Sequence, residues 1–323
     1  YIIQTYSPSD NDGDAKSQGS HFAIIATEDN TIVDYCPTAM TERYNKVFDD
    51  ANIGYVLDPA DSALLNYKVG VDTLHTPVLM KGQVFYVWTG KGKSGINADF
   101  SGTYVKARDG KEIAVFQGCP HTNIPHKIKL RDHIFSQAMP VHTWGNTFAL
   151  TASNNRKRDI YRVLALNDGT TIYINGNLVH TFDFSIDKKH YWEFELGVAY
   201  GSLAAPTAEG TSCFLTTSCP CAVHQFMVSQ QYDGDSKNNG DPAMLWINPI
   251  EQQINQITFT TYDSKKGETA HNVNIVTANP EGVKLDDVDI SSSFEQVNGS
   301  DGKYWFARRS LGSATKSYTL RND

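Results

Sequence analysis

The sequence predicts an all-β protein of tandem antiparallel β-sandwich units made by an internal repeat, with a partial or smaller third unit. Three observations predict it. A strand-and-turn pattern recurs three times, apolar residues alternate with a period of two, and the composition favours strands and turns, with 24 Gly, 16 Tyr and 11% aromatic residues among 323.

The first copy reads Tyr1-Ile2-Ile3-Gln4-Thr5, a polar stretch, then His21 through Val33. The second reads Thr147 through Thr151, a polar stretch, then Tyr161 through Ile172. The third reads Ile257 through Thr261, the polar stretch Asp263 to Ala270, then Val273 through Leu285. Each spells strand, hairpin loop, strand, tight turn, strand. Asp29-Asn30, Asp168-Gly169 and Glu281-Gly282 sit in the tight turn, where residues tolerant of positive φ are needed. In the strand from Thr171, Ile172 and Ile174 share a face, and Asn175-Gly176 is a strong hairpin signal.

The first two copies continue in parallel. Val78 to Trp88 matches Phe184 to Phe194, and Gly102 to Ala107 followed by Ile113 to Gln117 matches Cys213 to Thr217 followed by Ala222 to Phe226. The third copy reads as abbreviated, keeping only Tyr318-Thr319-Leu320 where the later strands belong. The expected organisation is unit one over 1–118, a linker with a short helix over 119–146, unit two over 147–228, a second linker over 229–256, and the smaller unit over 257–323. Arg131 to Met139, stopped by Pro140, is the expected helix. Glu42 to Pro77 is an insertion in the first unit.

Charge and composition exclude several partners. Net charge is −8 with scattered Lys and Arg, which disfavours a nucleic-acid partner because phosphate binding needs concentrated positive charge. No run of about 18 apolar residues exists, so no membrane insertion by this segment is expected. The chain opens on Tyr1 with neither a charged leader nor an apolar signal core, so any targeting segment is expected to lie outside it.

Five cysteines leave at least one without an intrachain partner. Cys36 and Cys119 each end a strand of the first unit and are the candidate disulfide, with free thiols as the open alternative. No metal or cofactor is assigned. Asp10, Asp12 and Asp14 offer calcium-type oxygens, but the same slot in the other copies has no common ligand set. The acidic stretch 233–241 reads as turn residues. Cys119, His121, His126 and His133 match no closed zinc spacing. No catalytic residue is assigned either: there is no Gly-x-Ser-x-Gly elbow and no His-Glu-x-x-His, and Gly92-Lys93-Ser94 lacks the first glycine of a phosphate loop. Paired carboxylates for glycoside hydrolysis are a three-dimensional property that spacing does not reveal. The candidate binding residues are Trp144, Tyr232 and Trp246, which serve either as a stacking platform for sugar or protein or as plugs at the unit junctions.

Asp132 through Phe148, Tyr161 through Ala165, and Gly240 through Gln252, in that order, resemble the IgGFc-binding protein N-terminal domain family. Asp99 through Ala107 with Ile113 through Gly118 fits the same pattern. The matched positions Pro140, Trp144, Gly145, Gly240, Asp241, Pro242 and Pro249 read as junction and turn formers. The resemblance implies an extracellular or cell-surface location, since animal members lie in mucus and bacterial ones are secreted or surface proteins. Antibody Fc binding, which gave the family its name, has no contact motif that can be placed on these residues. The expected function is therefore a non-catalytic adhesion or recognition module whose inter-unit loops bind an extracellular protein or glycan of host or matrix. A structural spacer without a ligand is the alternative, and a glycan-processing enzyme the third reading. Exposed aromatics on the inter-unit segments would favour the binder, and burial of Trp144 and Trp246 between sandwiches the spacer.

Overall fold

A computed structural model describes residues 1–8, 19–41, 46–48, 67–89, 96–126, 128, 130–154, 156–197, 207–233, 240–262 and 271–322. Asp10, Asp12, Asp14 and Gly92-Lys93-Ser94 lie outside these residues.

The first unit is a sandwich of two sheets. Strands β1 (His21–Ala26), β3 (Lys46–Phe48), β5 (Val84–Trp88), β7 (Ile113–Thr122) and β8 (Asp132–Gln137) form one, in the order β3-β5-β1-β7-β8. Strands β2 (Val33–Cys36), β4 (Leu74–His75) and β6 (Tyr104–Ala107) form the other, in the order β4-β2-β6. Side chains alternate across a strand, so every second residue points between the sheets. Phe22, Ile24, Val33, Tyr35, Phe85, Val87, Val105 and Val115 fill that space.

The second unit holds β9 (Gly145–Thr151), β10 (Arg158–Ala165), β11 (Thr171–Ile174), β12 (Asn177–Thr181), β13 (Tyr191–Gly197), β14 (Thr207–Glu209), β15 (Ser212–Met227) and β16 (Ala243–Ile247). Strand β15 is long enough to serve both layers. Its first half pairs with β9 and β11, its second half with β10 and β16, and the register shifts between Thr216 and Cys221, around Pro220. Phe148, Leu150, Tyr161, Val163, Phe194, Leu215 and Val223 are the core between the layers.

The third unit holds β17 (Gln256–Thr260), β18 (His271–Thr277), β19 (Val283–Leu285), β20 (Val288–Asp289), β21 (Glu295–Gln296), β22 (Trp305–Gly312) and β23 (Ser317–Asn322). Its sheets run β17-β23-β19-β20 and β18-β22-β21. Strand β22 has no counterpart in the abbreviated pattern read from the sequence. The third core is small: Ile275, Val283 and Ile290 are buried, with Val273, Leu285, Phe294 and Leu320 packed against them.

The pairing orders run in parallel. In the first two units β5-β1-β7-β8 stands beside β13-β10-β15-β16, and β4-β2-β6 beside β12-β11-β15. A bridge from Ile2 to Tyr104 places the N-terminal segment beside β6 as β9 lies beside β15. In the third unit β20-β19-β23-β17 follows β12-β11-β15-β9, and β18 pairs β22 as β10 pairs β13.

Two expectations are corrected. Arg131 to Met139 is not helical: Asp132–Gln137 is strand β8, antiparallel to β7, with Ile134 opposite Cys119 and Gln137 opposite Phe116. The segment alternates, Ile134 buried and Phe135 exposed. An isolated helix of two turns is marginal, whereas the edge of β7 supplies backbone partners and buries Ile134, so tertiary pairing overrides local propensity. Cys36 and Cys119 are not bridged, and all five cysteines are free thiols. Strand β7 runs on to Thr122, so Cys119 sits inside a strand and packs with Tyr6, Ile124 and Phe226, whereas Cys36 lies on β2 opposite Tyr104. Burial pushes the Cys119 thiol up to about 12, which makes it a small apolar side chain rather than a reactive one.

Both inter-unit stretches contribute strands, the first through the end of β7 and β8. The second contributes β16 and one turn of helix, α1 (Gln230–Asp233). Asp233 in the acidic stretch is buried, accepts hydrogen bonds from the Lys157 and Arg158 amides at 2.9 and 3.2 Å, and pairs with Arg156 at 3.4 Å.

Candidate functional site

Trp144 follows a 3-10 turn, Val141–Thr143, that Pro140 introduces with its fixed φ. It is 7% exposed and packs with Ile2, Leu164, Ala222 and half-buried Trp246. Trp246 stands on β16 edge-on to His224, 5.3 Å between ring centres, and its indole N–H donates to Asn248 at 2.9 Å. Tyr232 is 4% exposed in a different cluster, its hydroxyl donating to Glu195 and the Arg158 guanidinium 5.2 Å from its ring centre. The structure thus brings Trp144 and Trp246 together and keeps Tyr232 apart.

The junction between the first two units is built on charge. Arg162 on β10 reaches across to Asp99 at 3.0 Å and the Thr5 carbonyl at 2.9 Å, and pairs with Glu193 at 2.7 Å. Its guanidinium lies between the rings of Tyr6 and Tyr191, 4.1 and 4.0 Å from their centres. Asp99 also accepts from the Thr5 and Ser101 hydroxyls, at 2.7 and 2.6 Å. Burial by itself would raise its carboxyl, but Arg162, Lys189 and these hydroxyls hold it below its ordinary value. Arg162 pairs with Asp99 and with Glu193, and the cluster joins the first two units.

A different surface is open. On the outer face of the five-stranded sheet, Tyr86 of β5, His21 of β1, Phe116 of β7, and His133 and Phe135 of β8 come side by side. Ring centres are 5.2 Å apart for His21 and Tyr86, 5.6 Å for Phe116 and Phe135, 5.8 Å for His133 and Phe135, and 6.0 Å for His21 and Phe135. Gly118 makes the row possible: it lies opposite both His21 and Phe135, and a Cβ there would stand 2.2 Å from the Ile134 carbonyl oxygen. Phe135 is 48% exposed and His133 is exposed, whereas His21 is buried beneath them. Burial, with His133 adding to it, holds the His21 imidazole down to about 4, so it is a neutral ring at ordinary pH.

The matching faces of the other two units are covered. In the second, Phe226 packs on Tyr6 at 5.1 Å and Arg162 on the Asp99 cluster. In the third, Val276 and Phe306 pack against Ala149 and Phe214, and Asn274 donates to the Thr151 hydroxyl at 2.9 Å. Sequence reasoning missed the aromatic row because two of its members fall in the segment read as helix. The usable signal was the alternation Tyr86-x-Trp88 and His133-x-Phe135. Among the described residues no three His, Cys, Asp or Glu side chains gather as a metal site would require, so Cys119, His121, His126 and His133 do not converge.

The sequence model of the family described as IgGFc binding protein matches residues 1–323. The chain belongs to the IgGFc binding protein family. Comparison with curated proteins and with solved structures returns no match. The IgGFc binding protein family is one of binding proteins, typically extracellular, and among the described residues no helix is long and apolar enough to cross a membrane. Several of the positions that carry the resemblance sit at close approaches between segments. Gly145 opens β9 where a Cβ would lie 2.4 Å from the ring of Pro249, and Gly240, at φ 99°, lies where a Cβ would meet the Arg156 guanidinium. Asp241 and buried Pro242 lead into β16. None of these residues belongs to the aromatic row.

Proposed function

We propose that this chain is an extracellular recognition module that binds a protein or glycoprotein through the open aromatic face of its first sandwich, without catalysis. The observation that carries the reading is the row Tyr86, His21, Phe116, His133 and Phe135, two members of which belong to the inter-unit segment. Rigid, partly exposed aromatic rings supply contact area at low entropic cost and dominate recognition surfaces elsewhere. The sheet beneath holds them in place before any partner arrives. The shared pairing order of the three units supports their descent from one duplicated unit, whose stacking leaves the first face uncovered.

Burial of Trp144 between sandwiches favours a second reading, a rigid spacer with no ligand of its own. One experiment separates the two: a glycoprotein and glycan array that includes antibody Fc, probed with the chain and with its Phe135→Ala variant. The binder reading expects retained ligands whose affinity falls about 30-fold or more in the variant, the scale of a truncated hot-spot ring. Thermal unfolding should barely move, since Phe135 is half in solvent. An empty array leaves the spacer, and ligands that ignore Phe135→Ala place the binding surface away from this face.

A further inference from the structure

We infer that the open face of the first sandwich seats one uncharged sugar ring of a glycan, over Ala23 and between Tyr86 and Phe116. This rests on the recognition reading above and names the chemistry of its ligand.

Side chains alternate across a strand, so β5, β1, β7 and β8 each turn every second residue outward. Six of these outward residues are the rings of Tyr86, Trp88, His21, Phe116, His133 and Phe135, and on these four strands none carries a carboxylate, ammonium or guanidinium group. Ala23 is the gap among the rings. It stands opposite Tyr86 on one side and Phe116 on the other, and it stays partly exposed with a ring rising on either side. Adjacent strands lie about 4.8 Å apart, so the two rings flank a recess about 10 Å across from backbone to backbone, room for one six-membered ring laid against an aromatic wall.

The other units show the same recess filled. Ile24 stands opposite Val115 and Val163 opposite Val223, within the like segments Ile113 to Gln117 and Cys221 to Gln225, so Ala23 holds the place of Arg162. Arg162 ties the second unit to Asp99 of the first, and the outward Asn274 of β18 ties the third to Thr151 of the second. A face built to receive another unit in that manner would carry such a polar anchor. Here an alanine stands instead.

Size, charge and hydrogen bonding choose the ligand. The four strands present about 400 Å², roughly half of what one partner of a stable protein complex covers, so the occupant is small. An anionic sugar or a charged peptide would lose water here without gaining a counter-charge. Two polar atoms, His21 Nδ1 and the indole N–H of Trp88, stand on residues paired in register, and both lack a hydrogen-bond partner among the described residues. The surrounding rings shut both off from solvent. A hydroxyl donates and accepts, so the hydroxyls of a sugar that parts the rim rings satisfy both atoms without competition from water. The prolines of a proline-rich segment, the other common guest of aromatic grooves, offer acceptors alone.

The test is an array of uncharged oligosaccharides, the same oligosaccharides capped with sialic acid, and glycoproteins before and after enzymatic removal of their glycans, probed with the full chain. The expected result is retention of uncharged glycans, tighter than their sialylated forms by about tenfold or more, and loss of glycoprotein binding when the glycans are removed. Ala23→Leu, which fills the recess without adding charge, should weaken retained glycans by about tenfold or more. Trp88→Phe, which keeps a ring and removes the N–H, should weaken them about fivefold, the scale of one hydrogen bond. Both variants should keep the parent's urea midpoint. Glycoprotein binding that survives glycan removal yet falls in Phe135→Ala keeps recognition at this face and overturns the sugar. Glycan binding that ignores Ala23→Leu, or that prefers the sialylated forms, also overturns the inference. An empty array overturns it together with the recognition reading.

Discussion

His21 and His224 illustrate how one residue type turns burial into pH dependence. Burial, reinforced by His133, holds His21 at about 4, and burial together with the nearby Arg162 charge holds His224 at about 3. An unfolded histidine titrates near 6.5. Between about 6.5 and these depressed values the unfolded chain therefore binds protons that the folded chain refuses, and stability rises with pH across that window. The contribution is complete above about 6.5 and is lost as pH falls toward 4 and then 3. Asp99 behaves as a carboxylate held low, present above its unfolded value and lost only as pH falls through its own depressed one. Urea midpoints at pH 7.5 and 4.5 should show a clear loss for the chain and a smaller one for His21→Phe. Equal losses in both would mean that His21 is protonated in the fold. None of this was legible beforehand. His21 alternates with core residues in the sequence, but its cover by β8 depends on β7, which pairs β1 on one edge and β8 on the other.

At the scale of elements, β8 decides what the first unit presents to solvent. Its pairing with β7 brings His133 and Phe135 beside Phe116, and it passes close to β7 only because Gly118 has no side chain. Gly118→Ala would set a methyl against the Ile134 backbone oxygen, a contact that must shift the strand rather than a flexible side chain. The expected cost is about 1–3 kcal/mol, as for other overpacked sites, read from urea midpoints, with faster amide exchange confined to β8 and its neighbour. Array ligands should weaken as well, because the row depends on where β8 lies. An unchanged β8 exchange profile would show that the strand has room to spare. Most other strands were legible, since the two-residue period at Phe22 to Val33, Tyr161 to Ile174 and Val273 to Leu285 is local information. The turns were legible for the same reason: Asn30, Gly169, Asn175 and Gly282 all take positive φ. Strand β8 was not, because a short segment before a proline satisfies helix and strand signals alike, and only a partner edge chooses between them.

For the whole molecule, the same sheet face is used three times and left open once. The second unit turns it onto the first through Arg162, the third turns it onto the second through Asn274, and the first exposes it as the aromatic row. The Arg162–Asp99 pair is fully buried, so removing one partner strands a charge. Arg162→Ala should cost roughly 3–5 kcal/mol and should split a shared unfolding transition of the first two units into two. The check is calorimetry together with exchange rates in β1 and β10. A single transition with a small shift would show that apolar packing of Phe226 on Tyr6 holds the junction without the charge. The candidate site followed this logic more than it followed the sequence. Trp144 and Trp246 pack with Ile2, Leu164 and Ala222, whereas the exposed rings lie on a sheet face whose alternation is local but whose assembly from four strands is not.

Sequence by itself determined the β class, the turn positions and the family resemblance, because each depends on side chains a few residues apart. Tertiary structure alone decided which sheet faces are covered, that Cys36 and Cys119 stay apart, and that β8 is a strand. Those outcomes are set by contacts between residues tens to hundreds of positions apart, where burial and backbone pairing outweigh local preference.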